Sequence, residues 1–345
     1  MGTKTQLKIP FVDFSNIYHD DTTTLDWDLT KSQVHRSLEE FGCFETSIPN
    51  ILPELQTSVI ESLQQVFDLP LETKFKNRSS KPFHGYVGQW TNAPLFESLG
   101  IEELCIPDKI ENFTKTMWPE GNSKVSNTLQ EFSEKLLKLD QMVRKMVLQI
   151  LGLGKYMDEH MDSAHHRLRF MKYKGPETNE SKVGLKAHTD KGFVSILHQN
   201  QVEGLEVQTK SGDWIKVQPS HNLYIVMIAD SLVAWINGRL FSPFHQVMMT
   251  GEKARYSVGL FSFPKASYVI KAPEETVDDE NPLLFKPFEY LDFLEFYSIK
   301  EGLTAQSTQC LKKLLLKLKG AHVDKVDGFT SRSDEGNKKG FFKDG

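Results

Sequence analysis

The chain contains 345 residues, enough to bury a sizeable core, and its 39% hydrophobic and 25% charged residues are typical of a globular protein. Its formal net charge of −5 provides no general attraction for nucleic acid or for an anionic membrane surface. No apolar run approaches the roughly 20 residues that a membrane-spanning helix requires. We therefore expect a protein that neither crosses a membrane nor binds nucleic acid.

The N-terminal residues and the cysteines bear on the cellular compartment. Residues 1–6 are polar and lack the apolar segment of a secretory signal. The 3 cysteines, Cys43, Cys105 and Cys310, form no Cys-x-x-Cys pair, which argues against both a disulfide framework and a structural zinc site. We expect a cytoplasmic protein with reduced thiols.

The first part of the chain, to about residue 160, has mainly helical patterns. Residues 9–14 alternate apolar and polar positions, as a short strand does. Helical periodicity predicts helices over residues 30–41, 53–67 and 126–151. Gly42 directly follows the first of these, where a glycine commonly ends a helix. Residues 79–100 are rich in Gly, Pro and aromatic residues and predict an irregular loop of the kind that carries function.

After Gly152 the pattern changes to short apolar runs with a period of two, separated by turn residues. These runs predict strands over residues 168–173, 193–197, 205–208, 214–217, 223–228 and 256–261. Many short strands at regular spacing favour an antiparallel double-sheet jelly roll over about residues 165–265. The predicted fold class is therefore α+β, with a jelly-roll core flanked by N-terminal and C-terminal helices.

The predicted elements form a single domain over residues 1–318. Its C-terminal part, about residues 287–318, holds helices predicted over residues 287–297 and 305–318. Residues 319–345 are charged and rich in glycine, and we expect them to form a disordered tail.

The β region contains a set of residues that could bind a metal ion. His188 and Asp190 are two positions apart, so their side chains point the same way on extended backbone, and His245 follows 57 residues after His188. Two histidines and one carboxylate on one side of a metal leave other coordination positions open, as non-haem Fe(II) requires. The alternative is a solvated loop histidine and aspartate. Surface placement accounts for the other His-x-Asp sequences, at residues 19–21 and 160–162.

A strand that begins at Arg255 suggests an anion site beside this set. Strand alternation places Arg255 and Ser257 on one face and Tyr256 on the other. A buried guanidinium requires an anionic partner, and a planar carboxylate can accept from it in bidentate fashion. The alternative is a surface arginine on an edge strand, but the apolar run over residues 258–261 favours burial.

Taken together, these motifs resemble the plant Fe(II)/2-oxoglutarate-dependent dioxygenases, whose core is a jelly roll. The resemblance extends from residues 9–13 to Tyr297. Within that family the chain is most similar to the AOP-like branch, on the sequences at residues 171–176, 199–200, 204–209 and 284–288. That branch is named for enzymes that modify glucosinolate side chains, and it includes relatives that act on other plant metabolites, among them steroidal alkaloids.

The resemblance implies a role for each of the motif residues. His188, Asp190 and His245 would hold Fe(II) and form the catalytic centre. Arg255 and Ser257 would bind the distal carboxylate of 2-oxoglutarate.

The resemblance also implies roles for residues that bind neither the iron nor the distal carboxylate of 2-oxoglutarate. Tyr173 matches a position that reaches the carboxylate nearer the metal, although Met171 stands where relatives often have asparagine. Phe261 and Phe296 would contact the substrate, together with Tyr297 and the loop from Phe83 to Phe96. A core position is an equally good interpretation of Phe261.

The implied reaction is hydroxylation, desaturation or demethylation of a small plant specialised metabolite. It is coupled to decarboxylation of 2-oxoglutarate to succinate and uses O2, with ascorbate as a reductant. We expect a monomer whose partners are small molecules.

Other functions have weaker support in the sequence. Residues 262–265 fit Ser-x-x-Lys but end a strand, which disfavours a serine hydrolase, and no Walker or Gly-x-Gly-x-x-Gly sequence indicates nucleotide binding. A non-catalytic metal- or ligand-binding jelly roll and oxidation of a plant hormone such as auxin or gibberellin stay as alternatives. An acidic substrate would require a second cation beyond Arg255, and the sequence places none.

Overall fold

The computed structural model describes residues 7–17, 22–79, 81, 84–91 and 93–298. The predicted helix over residues 305–318 and the predicted tail lie outside these residues. The described helices are α1 (Leu25–Phe41), α2 (Pro53–Asp68), α3 (Leu71–Lys74), α4 (Lys109–Met117), α5 (Ser123–Ile150), α6 (Met157–Asp162), α7 (Asp230–Trp235) and α8 (Tyr290–Ser298). None of these helices is long and apolar enough to cross a membrane.

The strands form two main sheets and one short strand pair. They are β1 (Phe11–Asp13), β2 (Cys43–Ser47), β3 (Phe96–Ile101), β4 (Ala164–Tyr173), β5 (Thr178–His188), β6 (Val194–Gln199), β7 (Leu205–Gln208), β8 (Trp214–Lys216), β9 (Tyr224–Ile228), β10 (His245–Gly251), β11 (Arg255–Pro264), β12 (Val269–Ile270) and β13 (Phe288–Glu289). The large sheet has the order β1-β2-β9-β6-β11-β4-β3, and the small sheet has the order β5-β10-β7-β8, which places β5 at an edge.

The boundaries of the helices follow from local capping and pairing. Helix α1 begins five residues before the predicted start because the Thr24 hydroxyl caps it, accepting from Trp27 N at 3.2 Å. It ends as predicted at Gly42, whose φ of 67° is in the left-handed region. Helix α8 begins at Tyr290 rather than at residue 287 because Phe288 and Glu289 pair with β12.

Six of the described strands lie where the sequence pattern did not predict them: β2, β3, β5, β10, β12 and β13. Strand β3 occupies the end of the segment over residues 79–100 that was predicted to be an irregular loop. Strand β5 pairs with β10, but most of its side chains are exposed and polar, so it lacks the alternation that predicts a strand.

Helix α5 organises the outer face of the large sheet. It packs against α1, α2 and α4 and against β6 and β11 of the sheet. The apolar face of α5 is wholly buried. The other face of the large sheet lines the interior between the two sheets.

The surface interpretation of His160 is wrong. The side chain is fully buried, with its ring centroid 4.7 Å from that of Phe193 and 4.6 Å from that of Trp235. Burial lowers the pKa of His160 to about 3, so this histidine is a neutral core residue. The other His-x-Asp sequence, over residues 19–21, lies outside the described part of the chain.

A buried polar cluster links α5 to β4. The Asp140 Oδ2 accepts from Arg144 Nε at 2.9 Å and lies 3.0 Å from His166 Nε2, while His166 Nδ1 lies 3.4 Å from the Cys105 Sγ. Burial alone would lower the pKa of His166, but the hydrogen bonds with Asp140 and Cys105 raise it to about 9.

This cluster predicts a pH-dependent stability. Because the folded-state pKa of His166 is above its ordinary value of 6.5, the stabilisation is complete below about pH 6.5 and is lost as the pH rises through about 9. In a Cys105→Ser background we expect the free energy of unfolding to fall by roughly 1–3 kcal/mol over this window. Urea unfolding at about pH 6.5 and at about pH 9 measures this decrease in the free energy of unfolding. His166→Gln in the same Cys105→Ser background should remove the decrease. Equal pH dependence in the two proteins would contradict the assignment.

Candidate active site

The register of the small sheet brings together two of the predicted metal ligands. His188 is the last residue of β5 and His245 is the first residue of β10, and their Cα atoms are partners across the antiparallel pair. Asp190 lies two residues beyond the end of β5, and its Oδ1 lies 3.9 Å from His188 Nε2 and 3.8 Å from His245 Nε2. One nitrogen or oxygen of each side chain lies within 4.8 Å of the others.

Backbone carbonyl groups orient both imidazole rings. His188 Nδ1 lies 2.8 Å from Lys186 O, and His245 Nδ1 lies 3.3 Å from Pro243 O. Because a carbonyl oxygen can only accept, each Nδ1 carries the hydrogen and each Nε2 presents a lone pair toward Asp190. Burial and the neighbouring His245 lower the pKa of His188 to about 4, so its ring is neutral at pH 7.

Ser195 orients the carboxylate. Its hydroxyl donates to Asp190 Oδ2 at 2.5 Å, which leaves Oδ1 directed between the two imidazoles. One nitrogen of each imidazole and one carboxylate oxygen therefore converge on one point. This donor set fits Fe(II), which needs the opposite side for other ligands.

Arg255 lies on β11 in a fully buried position. Its Nε donates to Gln199 Oε1 at 3.0 Å, its Nη1 donates to Ser257 Oγ at 3.2 Å, and its Cζ is 5.2 Å from the centre of the Tyr173 ring. Burial lowers the pKa of this guanidinium, and no carboxylate in the described part of the chain forms an ion pair with it.

A second polar atom beside Arg255 lacks a partner. Gln199 Nε2 is buried without a hydrogen bond, while the amide oxygen of the same side chain accepts from Arg255. A buried guanidinium and a buried free amide donor together fit a carboxylate, which could accept from both. Tyr173, the Cα partner of Arg255 on β4, can add a third donor because burial raises the pKa of its hydroxyl to about 12.

The residues predicted to contact the substrate lie on several different elements of the fold. Phe261 lies on β11 in the same row of alternating side chains as Arg255 and Ser257, and it is 9% exposed. Phe296 lies on α8 and is buried in the main hydrophobic cluster. Phe83 lies outside the described residues. Phe96, at the other end of the predicted loop, is in β3 with its ring centroid 5.3 Å from that of Tyr173.

Sequence reasoning assigned no role to Ser195 or Gln199. Both lie on β6, four positions apart, so they face the same side of the strand. Their one signal in the sequence is that they are polar residues at alternating positions of a buried apolar strand. That signal does not reveal which side chain each will meet.

A second polar group supports the loop that carries Asp190. Lys191 Nζ donates to Asp230 Oδ2 at 2.7 Å and to Thr189 Oγ1 at 2.9 Å, and the Asp230 N donates to Asp190 O at 2.9 Å. Lys191 Nζ also lies 4.3 Å from the centre of the Tyr297 ring. The loop is thus fixed on both sides of Asp190.

Comparisons with protein families match both parts of the chain. Residues 163–264 match the 2OG-Fe(II) oxygenase superfamily, and residues 9–114 match a family described as non-haem dioxygenase in morphine synthesis N-terminal. The curated Arabidopsis thaliana protein named probable 2-oxoglutarate-dependent dioxygenase AOP1.2 is 47% identical over 306 residues, which cover 87% of this chain and 94% of that protein. The Arabidopsis 2-oxoglutarate-dependent dioxygenase AOP3 is 33% identical, with 82% of this chain and 92% of that protein covered.

Several solved structures have a similar fold. A rice dioxygenase for auxin oxidation superposes with a TM-score of 0.74 at 25% identity, covering 89% of this chain and 99% of that chain. JOX2 in complex with 2OG, Fe and JA has a TM-score of 0.73 at 23% identity, covering 90% of each chain. These similarities confirm the predicted α+β jelly-roll fold.

Proposed function

Because this chain belongs to the 2-oxoglutarate-dependent dioxygenases, which are enzymes that use Fe(II) and 2-oxoglutarate, we propose that it oxidises a small plant specialised metabolite by hydroxylation, desaturation or demethylation. The observation that carries the proposal is the His-Asp-His set next to a buried arginine that forms no ion pair with a described carboxylate. A protein that only bound a small molecule would have no use for this combination.

In this proposal His188, Asp190 and His245 hold the iron, each through the atom that already faces the other two. When bound, Fe(II) with O2 and 2-oxoglutarate supplies an oxidant that can break an unactivated C–H bond, and the cosubstrate leaves as succinate and carbon dioxide. Ser195 keeps Asp190 Oδ1 directed at the ion by holding Oδ2.

The cosubstrate site in this proposal is the buried polar group on β11, β6 and β4. Arg255 and Ser257 bind the distal carboxylate, and Gln199 Nε2 donates its free hydrogen bond to the same group. Tyr173 binds near the metal end. Displacement of water from these donors strengthens each contact, since the surroundings have low polarity.

The proposal also covers the residues that contact the substrate and the class of substrate. We propose that Phe261 and Phe296, together with Tyr297 and the loop from Phe83 to Phe96, contact the metabolite. Similarity to the AOP proteins supports a specialised metabolite. Similarity to the rice dioxygenase for auxin oxidation supports a hormone as the second candidate. We also propose a cytoplasmic monomer that uses ascorbate to maintain reduced iron.

Turnover with fractionated plant extracts tests this function. The protein with Fe(II), 2-oxoglutarate and ascorbate in air should form extra succinate with at least one fraction, in a one-to-one ratio to an oxidised product measured by mass spectrometry. His245→Ala should form none. Folded protein that binds Fe(II) and 2-oxoglutarate but oxidises nothing in any fraction would contradict the proposal and favour a non-catalytic binding protein.

A further inference from the structure

A thiol, an imidazole and a carboxylate form a chain of close contacts that runs from the surface into the core. Cys105 lies between β3 and α4 and is exposed, whereas His166 on β4 and Asp140 on α5 are buried. The Cys105 Sγ lies 3.4 Å from His166 Nδ1, and His166 Nε2 lies 3.0 Å from Asp140 Oδ2. A nucleophile beside an imidazole that a third group orients is the arrangement that activates a thiol. None of the three residues belongs to the proposed iron or cosubstrate site.

The carboxylate of Asp140 fixes the protonation of the imidazole. Although burial raises it, the charge of Arg144 and the hydrogen bond with His166 hold the pKa of Asp140 well below its usual range. An ionised carboxylate can only accept, so His166 Nε2 carries a hydrogen and Nδ1 is the atom that faces the thiol. Because the pKa of His166 is raised to about 9, Nδ1 also carries a hydrogen at pH 7 and donates to the sulfur.

This charged imidazole stabilises the thiolate form of Cys105. The hydrogen bond with His166 lowers the pKa of the thiol, against burial, which raises it. The charges of His166 and Arg144 lower this pKa further, and the charge of Asp140 raises it. The balance favours an ionised sulfur at a lower pH than for an ordinary cysteine.

The surroundings of the other cysteines differ. Cys43 on β2 is fully buried, and burial raises the pKa of its thiol. Cys310 lies outside the described residues. In the described part of the chain, Cys105 is therefore the thiol that a reagent in solution can reach. On the same segment Glu103 pairs with Lys109 at 2.9 Å, and Asp108 adds a negative charge three residues after Cys105.

We propose that Cys105 is a site of thiol–disulfide exchange, at which a small disulfide of the glutathione type forms a mixed disulfide with the protein. The thiolate attacks one sulfur of the reagent, a new S–S bond forms as the old one breaks, and the departing thiolate takes a proton from water. Cys105 is oxidised and the departing half of the reagent is reduced, so no other electron acceptor is required. His166 is a positioning residue that maintains the thiolate. Because Cys43 is buried, it cannot displace the added group in the folded protein, and an external thiol reverses the reaction.

Reaction rates at two pH values test the thiolate directly. The full chain carrying Cys310→Ser is treated with glutathione disulfide at pH 6 and at pH 8.5, and the mixed disulfide is quantified by intact mass and located by peptide mapping. The comparison protein carries Cys105→Ser and Thr57→Cys in the same background. Thr57 is exposed on α2, where its hydroxyl donates to Pro53 O at 3.0 Å.

Within each protein, the rate at pH 6 divided by the rate at pH 8.5 cancels differences in access to the sulfur. We expect this ratio to be at least about fivefold larger for Cys105 than for the thiol at position 57, because a thiol beside a protonated histidine stays ionised at a lower pH than an ordinary thiol.

Two variants assign the effect to the imidazole. His166→Gln removes the cation but keeps a side chain that can form hydrogen bonds, and it should bring the ratio to within about twofold of that for the thiol at position 57. The matched control Glu103→Gln changes a charge on the same segment as Cys105 and should leave the high ratio within about twofold. Circular dichroism at both pH values establishes that each variant is folded.

The outcomes decide the inference without iron or substrate, so they are independent of the proposed function. Absence of a mixed disulfide at Cys105 in the folded protein would overturn the inference, as would equal ratios for Cys105 and the thiol at position 57. A high ratio that persists in folded His166→Gln would also overturn it, because the imidazole would then have no part in the reaction. If His166→Gln does not fold, the comparison with Thr57→Cys still decides, since that protein leaves His166 and Asp140 in place.

Discussion

His245→Ala is expected to weaken Fe(II) binding by at least about 100-fold and to abolish the charge-transfer band with 2-oxoglutarate. Loss of a hydrogen-bond partner to a metal ligand already costs 10- to 100-fold, so loss of the ligand itself should cost at least as much. The remaining His188 and Asp190 cannot enclose the ion from three directions. Anaerobic titration with Fe(II) in the presence of saturating 2-oxoglutarate measures the effect.

A matched histidine outside the site provides the control. His221 is exposed in the turn before β9, and His221→Ala should bind Fe(II) as the wild type does. His245→Ala should remain folded. The substitution removes one of two imidazole rings, whose centroids are 4.3 Å apart, and does not open a large apolar cavity. Unchanged iron affinity in folded His245→Ala would show that the metal binds elsewhere.

Arg255→Gln is expected to raise the 2-oxoglutarate concentration at half-saturation by about 30-fold or more. Removing one partner of a buried charge pair costs 2–5 kcal/mol, and 2 kcal/mol corresponds to about 30-fold in affinity. The substitution also deprives Gln199 Oε1 of its donor. Titration of the iron-loaded protein with 2-oxoglutarate measures the shift.

A titration of Arg255→Gln with Fe(II) alone provides the control for the metal site. Because Arg255 contacts none of the three proposed iron ligands directly, Fe(II) affinity without cosubstrate should change by less than about threefold. Arg255→Lys should recover only part of the affinity, since an ammonium cannot donate in the planar bidentate geometry of a guanidinium. A wild-type 2-oxoglutarate affinity in Arg255→Gln would mean that the carboxylate binds to other residues.

The sequence predicted the elements whose pattern is periodic and the site residues whose type is informative. Helix α5 and strand β7 follow directly from the spacing of apolar residues, because each buries one regular face. His188, Asp190 and His245 were grouped because this His-x-Asp sequence borders a predicted strand and a second histidine follows in the same β region. Strand β5 was not predicted, because its exposed side chains carry no apolar period.

Residues whose placement depends on strand register could not be predicted. The sequence shows Arg169 as one basic residue in an apolar run, with no indication that it faces the same interior as Arg255. Only the pairing of β4 with both β3 and β11 places it there, between Gly100 and Gly259. The same holds for Gln199, whose free amide nitrogen is recognised only once Arg255 is seen to occupy its oxygen.

The position of His188 at the end of an edge strand ties metal loading to the integrity of the small sheet. Among the described strands, β5 pairs with β10 at the edge of the small sheet, and its mostly exposed side chains contribute little burial. An ion held by both His188 and His245 would fasten the two strands together at this end, adding a cross-link that hydrogen bonds alone do not provide. Amide hydrogen exchange in β5 should therefore slow on iron loading more than exchange in β6 at the centre of the large sheet, because the ion stabilises this end of β5 locally against fraying.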